Sequence, residues 1–323
     1  MIELPADLAP VQMAQMVYRL LGERRRFAVP GAPTSECADI VLRTSGSVDT
    51  AKSVAHTYAA VDWAVATSRR VLSAHDWRWL LLLSPVSAGG FMTIARSDRE
   101  PLIWPGLGAR FDAHAVTGWY SGGADATSVV STQLARMLDV PQAVEMLQRM
   151  KVVLVGGGPF APALRDRCQS LQIPAVGTYG STETLGGCVY DGAPWPGIQV
   201  EIRADQIHLD GPNLSASYVP EPLIPRPWPT GDLGRWADGR LEVLGRVDDV
   251  VPVKGVNRHL WEFEREALRR PGVLEAVAVA VPDDVDGYRV VVFVEDAEQR
   301  LPRLETGKPD RRELLRRARG QRR

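Results

Sequence analysis

Residues 152–184 read VVLVGGGPFAPALRDRCQSLQIPAVGTYGSTET, and this stretch decides the fold. Its first four residues form a β-branched, apolar run that stops at Gly156-Gly157-Gly158-Pro159, the punctuation of a strand end. Residues 163–171 have the composition of a helix, and Ala175-Val176 opens a further strand. A strand, a helix and a strand in that order predict a crossover and parallel pairing, the unit of an α/β sheet. Working outward, residues 39–43 and 79–83 read as strands, and residues 8–21 (LAPVQMAQMVYRLL) and 56–72 as helices.

The character changes after about residue 195. Residues 200–203, 207–209 and 241–244 are short strands, with Ala237-Asp238-Gly239-Arg240 as a hairpin turn signal. Residues 261–268 read as a helix, and 275–281 and 290–295 as strands that can pair around it. The expected fold is therefore α/β, with a large N-terminal domain of mixed or parallel sheets flanked by helices. A small α+β C-terminal domain follows, with the boundary just after Gly245-Arg246, giving residues 1–246 and 247–323. A chain of 323 residues suits such a division, because single cores rarely grow past roughly 250–300 residues.

Composition narrows the function classes. The chain is 45% hydrophobic and 24% charged, with a net charge of −1, so it offers no overall field for nucleic acid or an acidic membrane. The one charge-biased stretch, residues 311–323, reads as a solvated helix end. Cys37, Cys168 and Cys188 are far apart and form no CxxC pair, so neither a disulfide framework nor a zinc site is expected. No basic-then-apolar leader follows Met1, and residues 79–83, the most apolar run, are too short to span a bilayer. A cytoplasmic setting is the expectation.

Several polar segments interrupt the apolar pattern. Arg43-Thr44-Ser45-Gly46-Ser47-Val48-Asp49-Thr50-Ala51-Lys52 offers hydroxyls, a glycine and an ammonium after a strand, the groups a polyphosphate needs. Tyr179-Gly180-Ser181-Thr182-Glu183-Thr184 puts an aromatic that can stack on a base near a carboxylate that can hold Mg²⁺. In Thr230-Gly231-Asp232-Leu233-Gly234 an aspartate can accept both hydroxyls of a ribose, although an isolated GDxG is more often a tight turn. Gly245-Arg246-Val247-Asp248-Asp249 and Thr306-Gly307-Lys308-Pro309 follow. Each alone could be punctuation; their common order is not.

In that order the segments resemble the motif series of the adenylate-forming superfamily: acyl-CoA synthetases, adenylation domains and luciferases. The resemblance runs from about residue 40 to 315. More narrowly, the segment from Thr178 to Gly192 (TYGSTETLGGCVYDG), together with residues 127–134 and 156–159, resembles the o-succinylbenzoate–CoA ligases of menaquinone biosynthesis. The resemblance implies ATP and Mg²⁺ as cofactors and CoA as co-substrate. It implies that Thr44, Ser45, Gly46, Ser47 and Lys52 cradle phosphates, and that Gly157, Gly158 and Tyr179 line the adenine pocket with Gly180, Ser181 and Thr182 beside them. Glu183 would hold Mg²⁺, Asp232 and Arg246 would contact the ribose, and Asp248 would be the hinge about which a mobile small domain rotates. Lys308 would bridge carboxylate and α-phosphate. Ser87, Gly89, Ser128 and Gly156 would line the acid pocket. Homodimers are common in that family.

The sequence departs from the family pattern in four places. The phosphate loop usually reads TSG[ST]TGxPKG, but here Val48, Asp49, Ala51 and Ser53 replace Thr, Gly, Pro and Gly. Asp49 near a triphosphate would repel it by roughly 3 kcal/mol per charge pair at ~5 Å and an effective dielectric of ~20. The acid-pocket segment Pro85-Val86-Ser87-Ala88-Gly89-Gly90-Phe91 is one residue short of PxxHxxG and has no histidine. The part before the phosphate loop is short, and so is the span from Glu295 to Leu301. These departures keep two alternatives open: an adenylating enzyme that hands its acid, even a small inorganic one, to an amine or other non-CoA acceptor, and a non-catalytic nucleotide-binding homologue.

Overall fold

The computed structural model describes residues 1–44, 52–220, 223–283, 287–296, 298–303 and 309–320. The first part of the chain runs β1 (Ile2–Glu3), α1 (Pro10–Gly22), β2 (Phe27–Ala28), β3 (Ile40–Arg43), β4 (Ser53–His56), α2 (Tyr58–Leu72), β5 (Trp79–Leu81), α3 (Ala88–Arg96) and β6 (Leu102–Ile103). Next come α4 (Ala113–Trp119), β7 (Ala126–Val130), α5 (Ser131–Leu138), α6 (Pro141–Gln148), β8 (Val152–Gly156), α7 (Pro162–Ser170), β9 (Ala175–Ser181) and, after a single 3₁₀ turn at Thr182–Thr184, β10 (Gly186–Tyr190). The strand-rich part is β11 (Ala193–Pro194), β12 (Gln199–Arg203), β13 (Gln206–Asp210), β14 (Ser217–Val219), β15 (Trp228–Ala237) and β16 (Arg240–Arg246). The chain closes with β17 (Val250–Val253), β18 (Val256–His259), α8 (Leu260–Leu268), β19 (Glu275–Asp283), β20 (Gly287–Glu295) and α9 (Arg311–Gly320).

The central sheet has the order β11-β10-β9-β8-β7-β5-β6. From β6 to β9 every pairing is parallel, as the strand–helix–strand reading requires. Trp79, Leu80, Leu81, Val153 and Val155 are buried, because helices cover both faces. β10 turns back antiparallel to β9, so the sheet is mixed. A second sheet, β1-β2-β3-β4-β14, and a third, β12-β13-β15-β16, flank it. The hairpin signal at 237–240 is realised: Asp238 (φ 49°) and Gly239 (φ 73°) turn β15 into β16. One apolar cluster runs from Leu4 to Leu241. Separate smaller clusters hold Val277, Phe293 and Leu314, and Ala267, Val273 and Ala276.

One local expectation is corrected. His56 is not the first residue of a helix. It ends β4, with all four residues of that strand buried between β3 and β14, and the helix begins at Tyr58. Thr57 caps α2, its hydroxyl accepting from the Ala60 N–H at 3.2 Å. Arg43 thus pairs with Ser53, the residue after Lys52, as two arms of an antiparallel pair, not as strand and helix. The Thr230–Gly234 segment lies inside β15 and is not the tight turn that an isolated GDxG more often makes. Its register with β16, not its glycines, decides this.

No helix among the described residues is long and apolar enough to cross a membrane.

Candidate active site

The site is built at the carboxyl ends of β7, β8 and β9, where loops of an open parallel sheet meet ligands. β9 delivers Tyr179, Gly180 and Ser181, and the 3₁₀ turn delivers Thr182 and Glu183. The turn is fixed by its own polar atoms: the Ser181 N–H donates to Thr184 Oγ1 at 2.9 Å, and that hydroxyl donates to the Gly186 carbonyl at 2.9 Å. Gly180 is required by packing. A Cβ there would lie 2.0 Å from the Gly186 carbonyl oxygen across the β9–β10 pair.

Glu183 is 7% exposed. Its Oε1 accepts from the Tyr218 hydroxyl at 3.0 Å, and the Lys52 ammonium lies over the Tyr218 ring at 5.0 Å from its centre. Burial, and then the Glu183 charge, push the Tyr218 phenol well above its ordinary range. The pairing of β14 with β4 sets Tyr218 opposite Val54, two residues from Lys52. The neighbouring segment clamps the turn. The Ser215 N–H donates to the Glu183 carbonyl at 2.8 Å, Asn213 Nδ2 donates to the Thr184 carbonyl at 2.8 Å, and the Ser215 hydroxyl donates to the Ala55 carbonyl. Phosphate-loop, metal and sheet candidates thus converge through Tyr218, Ser215 and Asn213, which no motif marks.

A second group surrounds Asp232. Its Oδ2 accepts from the Tyr179 hydroxyl at 2.9 Å and its Oδ1 from Arg246 Nη1 at 3.1 Å. Asp232 and Arg246 are direct partners across β15 and β16. Gly231 leaves room for the guanidinium, since a Cβ there would sit 2.9 Å from Arg246 Nη2. Burial pushes the Asp232 carboxyl up, and the Arg246 charge and the Tyr179 hydroxyl pull it back. Burial, and then Asp232, push the Tyr179 phenol well above its usual range. Arg246 Nε also donates to Asp248 Oδ1 at 3.1 Å, so the adenine, ribose and hinge candidates form one chain of contacts.

The proposed acid pocket lies beside them. Ser128, Gly156 and Thr178 lie on one face of neighbouring parallel strands by register. A Cβ on Gly156 would come within 2.6 Å of Thr178 Oγ1, so the glycine keeps that face open. The Ser128 and Ser181 hydroxyls are buried without a protein partner among the described residues. Ser87 is committed elsewhere: it caps α3, accepting from the Gly90 N–H at 3.1 Å and donating to the Ser84 carbonyl at 2.7 Å. Gly89 sits in that first turn, its position one where a Cβ would come within 3.0 Å of Leu83. Gly157 takes φ 78° directly after β8, and Gly158 is open to solvent.

Thr44 and Lys52, on either side of the candidate phosphate loop, are joined: the Thr44 N–H donates to the Lys52 carbonyl at 2.8 Å, and the Lys52 N–H to Thr44 Oγ1 at 3.0 Å. Ser45, Gly46, Ser47, Asp49 and Lys308 lie outside the described residues. Beyond the hinge candidate, Asp249 pairs with Arg311 at 3.2 Å, tying the start of α9 to β17.

His56, the last residue of β4, is the one histidine beside the Glu183 turn among the described residues. It sits wholly buried, next to the backbone of Thr182, with neither ring nitrogen hydrogen-bonded to another side chain. Burial drives its pKa down to about 4.

With this geometry in place, comparisons with known proteins agree. The model of the family described as "AMP-binding enzyme" matches residues 27–207. The chain belongs to the AMP-binding enzyme family. It is 29% identical over 321 residues to a probable 2-succinylbenzoate–CoA ligase of Mycobacterium tuberculosis, covering 91% of this chain and 84% of that protein. It is 28% identical over 280 residues to the 2-succinylbenzoate–CoA ligase of Lactococcus lactis, covering 79% of this chain and 60% of that one. Among solved structures, o-succinylbenzoate CoA synthetase from Bacillus subtilis with its acyl-adenylate intermediate superposes with a TM-score of 0.71 at 22% identity, covering 87% of this chain and 69% of that one. E. coli MenE with a bound m-phenylether-linked analogue of OSB-AMS gives a TM-score of 0.66 at 21% identity, covering 95% of this chain and 80% of that one. These structures share the fold.

Proposed function

We propose that the chain is an AMP-forming acid–thiol ligase acting on o-succinylbenzoate or a close relative. The observation that carries this reading is the convergence of Lys52, Glu183, Tyr179 and Asp232 at the carboxyl end of one parallel sheet. In the first step a carboxylate oxygen of the acid attacks the α-phosphorus of ATP. The bond from the α-phosphorus to its bridging oxygen breaks, and pyrophosphate leaves with the electron pair. In the second, the CoA sulfur attacks the acyl carbon, its proton passes to solvent, and AMP departs with the electrons of the C–O bond.

Each residue has a physical task. Asp232, held by Tyr179 and Arg246, orients the ribose hydroxyls. Tyr179 and the glycines after β8 line the base. Lys52 lies close enough to Glu183, through Tyr218, to share the phosphate end. Such reactions need positioning and charge neutralisation more than covalent help.

Glu183 is the residue proposed to hold Mg²⁺. Among the described residues no group of three His, Cys, Asp or Glu could hold a metal unaided. One buried carboxylate suits Mg²⁺, which commonly takes one or two carboxylates plus substrate phosphates. When bound, Mg²⁺ neutralises phosphate charge.

The same reading divides the chain at residues 1–246 and 247–323, supported by the separate apolar clusters beyond residue 267. It assigns Lys308 to the adenylation step and Asp248 to the hinge. It sets the reaction in the cytoplasm, where ATP and CoA are available, and includes a homodimer. AMP release from Mg-ATP that requires both o-succinylbenzoate and CoA is the expected result. AMP release with that acid but without thioester formation would reassign the acceptor.

A further inference from the structure

Arg96 closes α3 with its side chain inside the core, only 4% exposed. Its Nε donates to Ser68 Oγ at 3.1 Å, and among the described residues it has no carboxylate partner. A guanidinium stays charged under all ordinary conditions, and a buried charge without a counter-charge is strongly unfavourable. Two indole rings flank it, Trp79 at 5.8 Å and Trp195 at 6.0 Å from ring centre to Cζ. These distances are at the outer edge of the cation–π range, so the rings offset only part of the cost.

The polar atoms of the same cluster are also unclaimed. Trp79 Nε1, Trp195 Nε1 and the Tyr190 hydroxyl are buried without a protein partner among the described residues. Tyr190 meets Trp195 edge-on with ring centres 5.1 Å apart, and Arg96 bridges that pair to Trp79. Burial pushes the Tyr190 phenol up while the Arg96 charge pulls it back, so the cation's field reaches that hydroxyl. Indole and guanidinium nitrogens donate and never accept. A water there would have few acceptors for its own hydrogens, whereas an anion uses every donor.

We infer that Arg96, Trp79, Trp195 and Tyr190 form a buried binding site for a small monovalent anion of halide kind. Trp79 begins β5, at the opposite end of the central sheet from Glu183, which follows the end of β9, while Tyr190 pairs with Thr178 midway along β9. The site is structural, supplying the counter-charge that the core lacks.

The test uses bromide as the probe on the full chain. Anomalous diffraction from crystals soaked in sodium bromide is expected to show a peak within hydrogen-bonding reach of the Arg96 guanidinium. At constant ionic strength, replacing gluconate with bromide should raise the thermal midpoint by roughly 2–4 °C. Tyr190→Phe keeps the ring and removes one donor, and should at least halve that rise. Arg96→Met should abolish it; if that variant does not fold, Tyr190→Phe decides. No peak near Arg96, equal midpoints in the two salts, or a rise that Tyr190→Phe leaves whole would each overturn the assignment.

Discussion

The Tyr218 hydroxyl donates to Glu183 Oε1 at 3.0 Å from a strand that pairs with the one following Lys52. Tyr218 therefore orients the carboxylate proposed for Mg²⁺ while its ring carries the lysine proposed for phosphate. Hydrogen bonds to a charged group contribute about 1.5–3 kcal/mol. Tyr218→Phe keeps the ring, so the expected loss is roughly tenfold or more in kcat/KM for Mg-ATP, with the Mg²⁺ requirement shifted to higher concentration. Steady-state kinetics across a magnesium titration measures both, and an unchanged magnesium requirement would detach Tyr218 from the metal.

Asp232 is held from both sides, by Tyr179 and by Arg246. Asp232→Asn removes the charge and keeps the shape. AMP affinity should fall about 10-fold or more, because the ribose loses a charged acceptor. Calorimetric titration with AMP reads this directly; equal affinity would mean that the ribose lies elsewhere.

Gly180 faces a backbone oxygen that cannot retreat without parting β9 from β10. Gly180→Ala should destabilise the chain by about 1–3 kcal/mol and reduce activity with it, since the same pair carries the Glu183 turn. Gly158→Ala, which meets open space, is the control and should leave the thermal midpoint nearly unchanged. Equal midpoints for the two variants would show that the strands accommodate the methyl group.

His56 makes stability depend on pH. Its folded pKa is about 4, against an unfolded value of about 6.5, so the unfolded chain binds the extra proton first. The contribution is fully present above pH 6.5 and is lost as pH falls towards 4, amounting to about 2 kcal/mol between pH 7 and pH 5. Unfolding free energies from urea titrations at those two pH values should differ by that amount in the wild type and by less in His56→Phe. Equal acid sensitivity in both proteins would place the titrating group elsewhere.

Lys308 carries the adenylation step in the proposed function. Lys308→Ala should nearly abolish acyl-AMP formation while ATP binding stays close to normal. Single-turnover formation of the adenylate separates the two, and a wild-type rate would remove the residue from that step.

Much of this was legible in the chain. The apolar run of β8 and its glycine break gave the strand and its parallel partner, because buried parallel strands are continuous apolar runs. Asp238-Gly239 gave the β15–β16 turn, because that pair tolerates the left-handed backbone such turns need. His56 was misread because four buried residues with no polar alternation look locally like the start of the helix that follows. That Asp232 faces Arg246 was not legible in Thr230–Gly234, because only the partner strand shows it. Tyr218, Ser215 and Asn213 left no local signal. They act through contacts with residues far away in sequence, such as Ser215 with Ala55, and spacing along the chain does not encode such contacts.

The most direct test is ATP–pyrophosphate exchange with Mg-ATP, with and without o-succinylbenzoate, in the absence of CoA. An adenylating enzyme exchanges labelled pyrophosphate into ATP only when the acid is present, and then releases AMP and thioester once CoA is added. A chain that binds ATP but shows no exchange with this acid or any other, or that releases ADP and phosphate instead of AMP, would contradict the adenylation chemistry at Glu183 and Asp232.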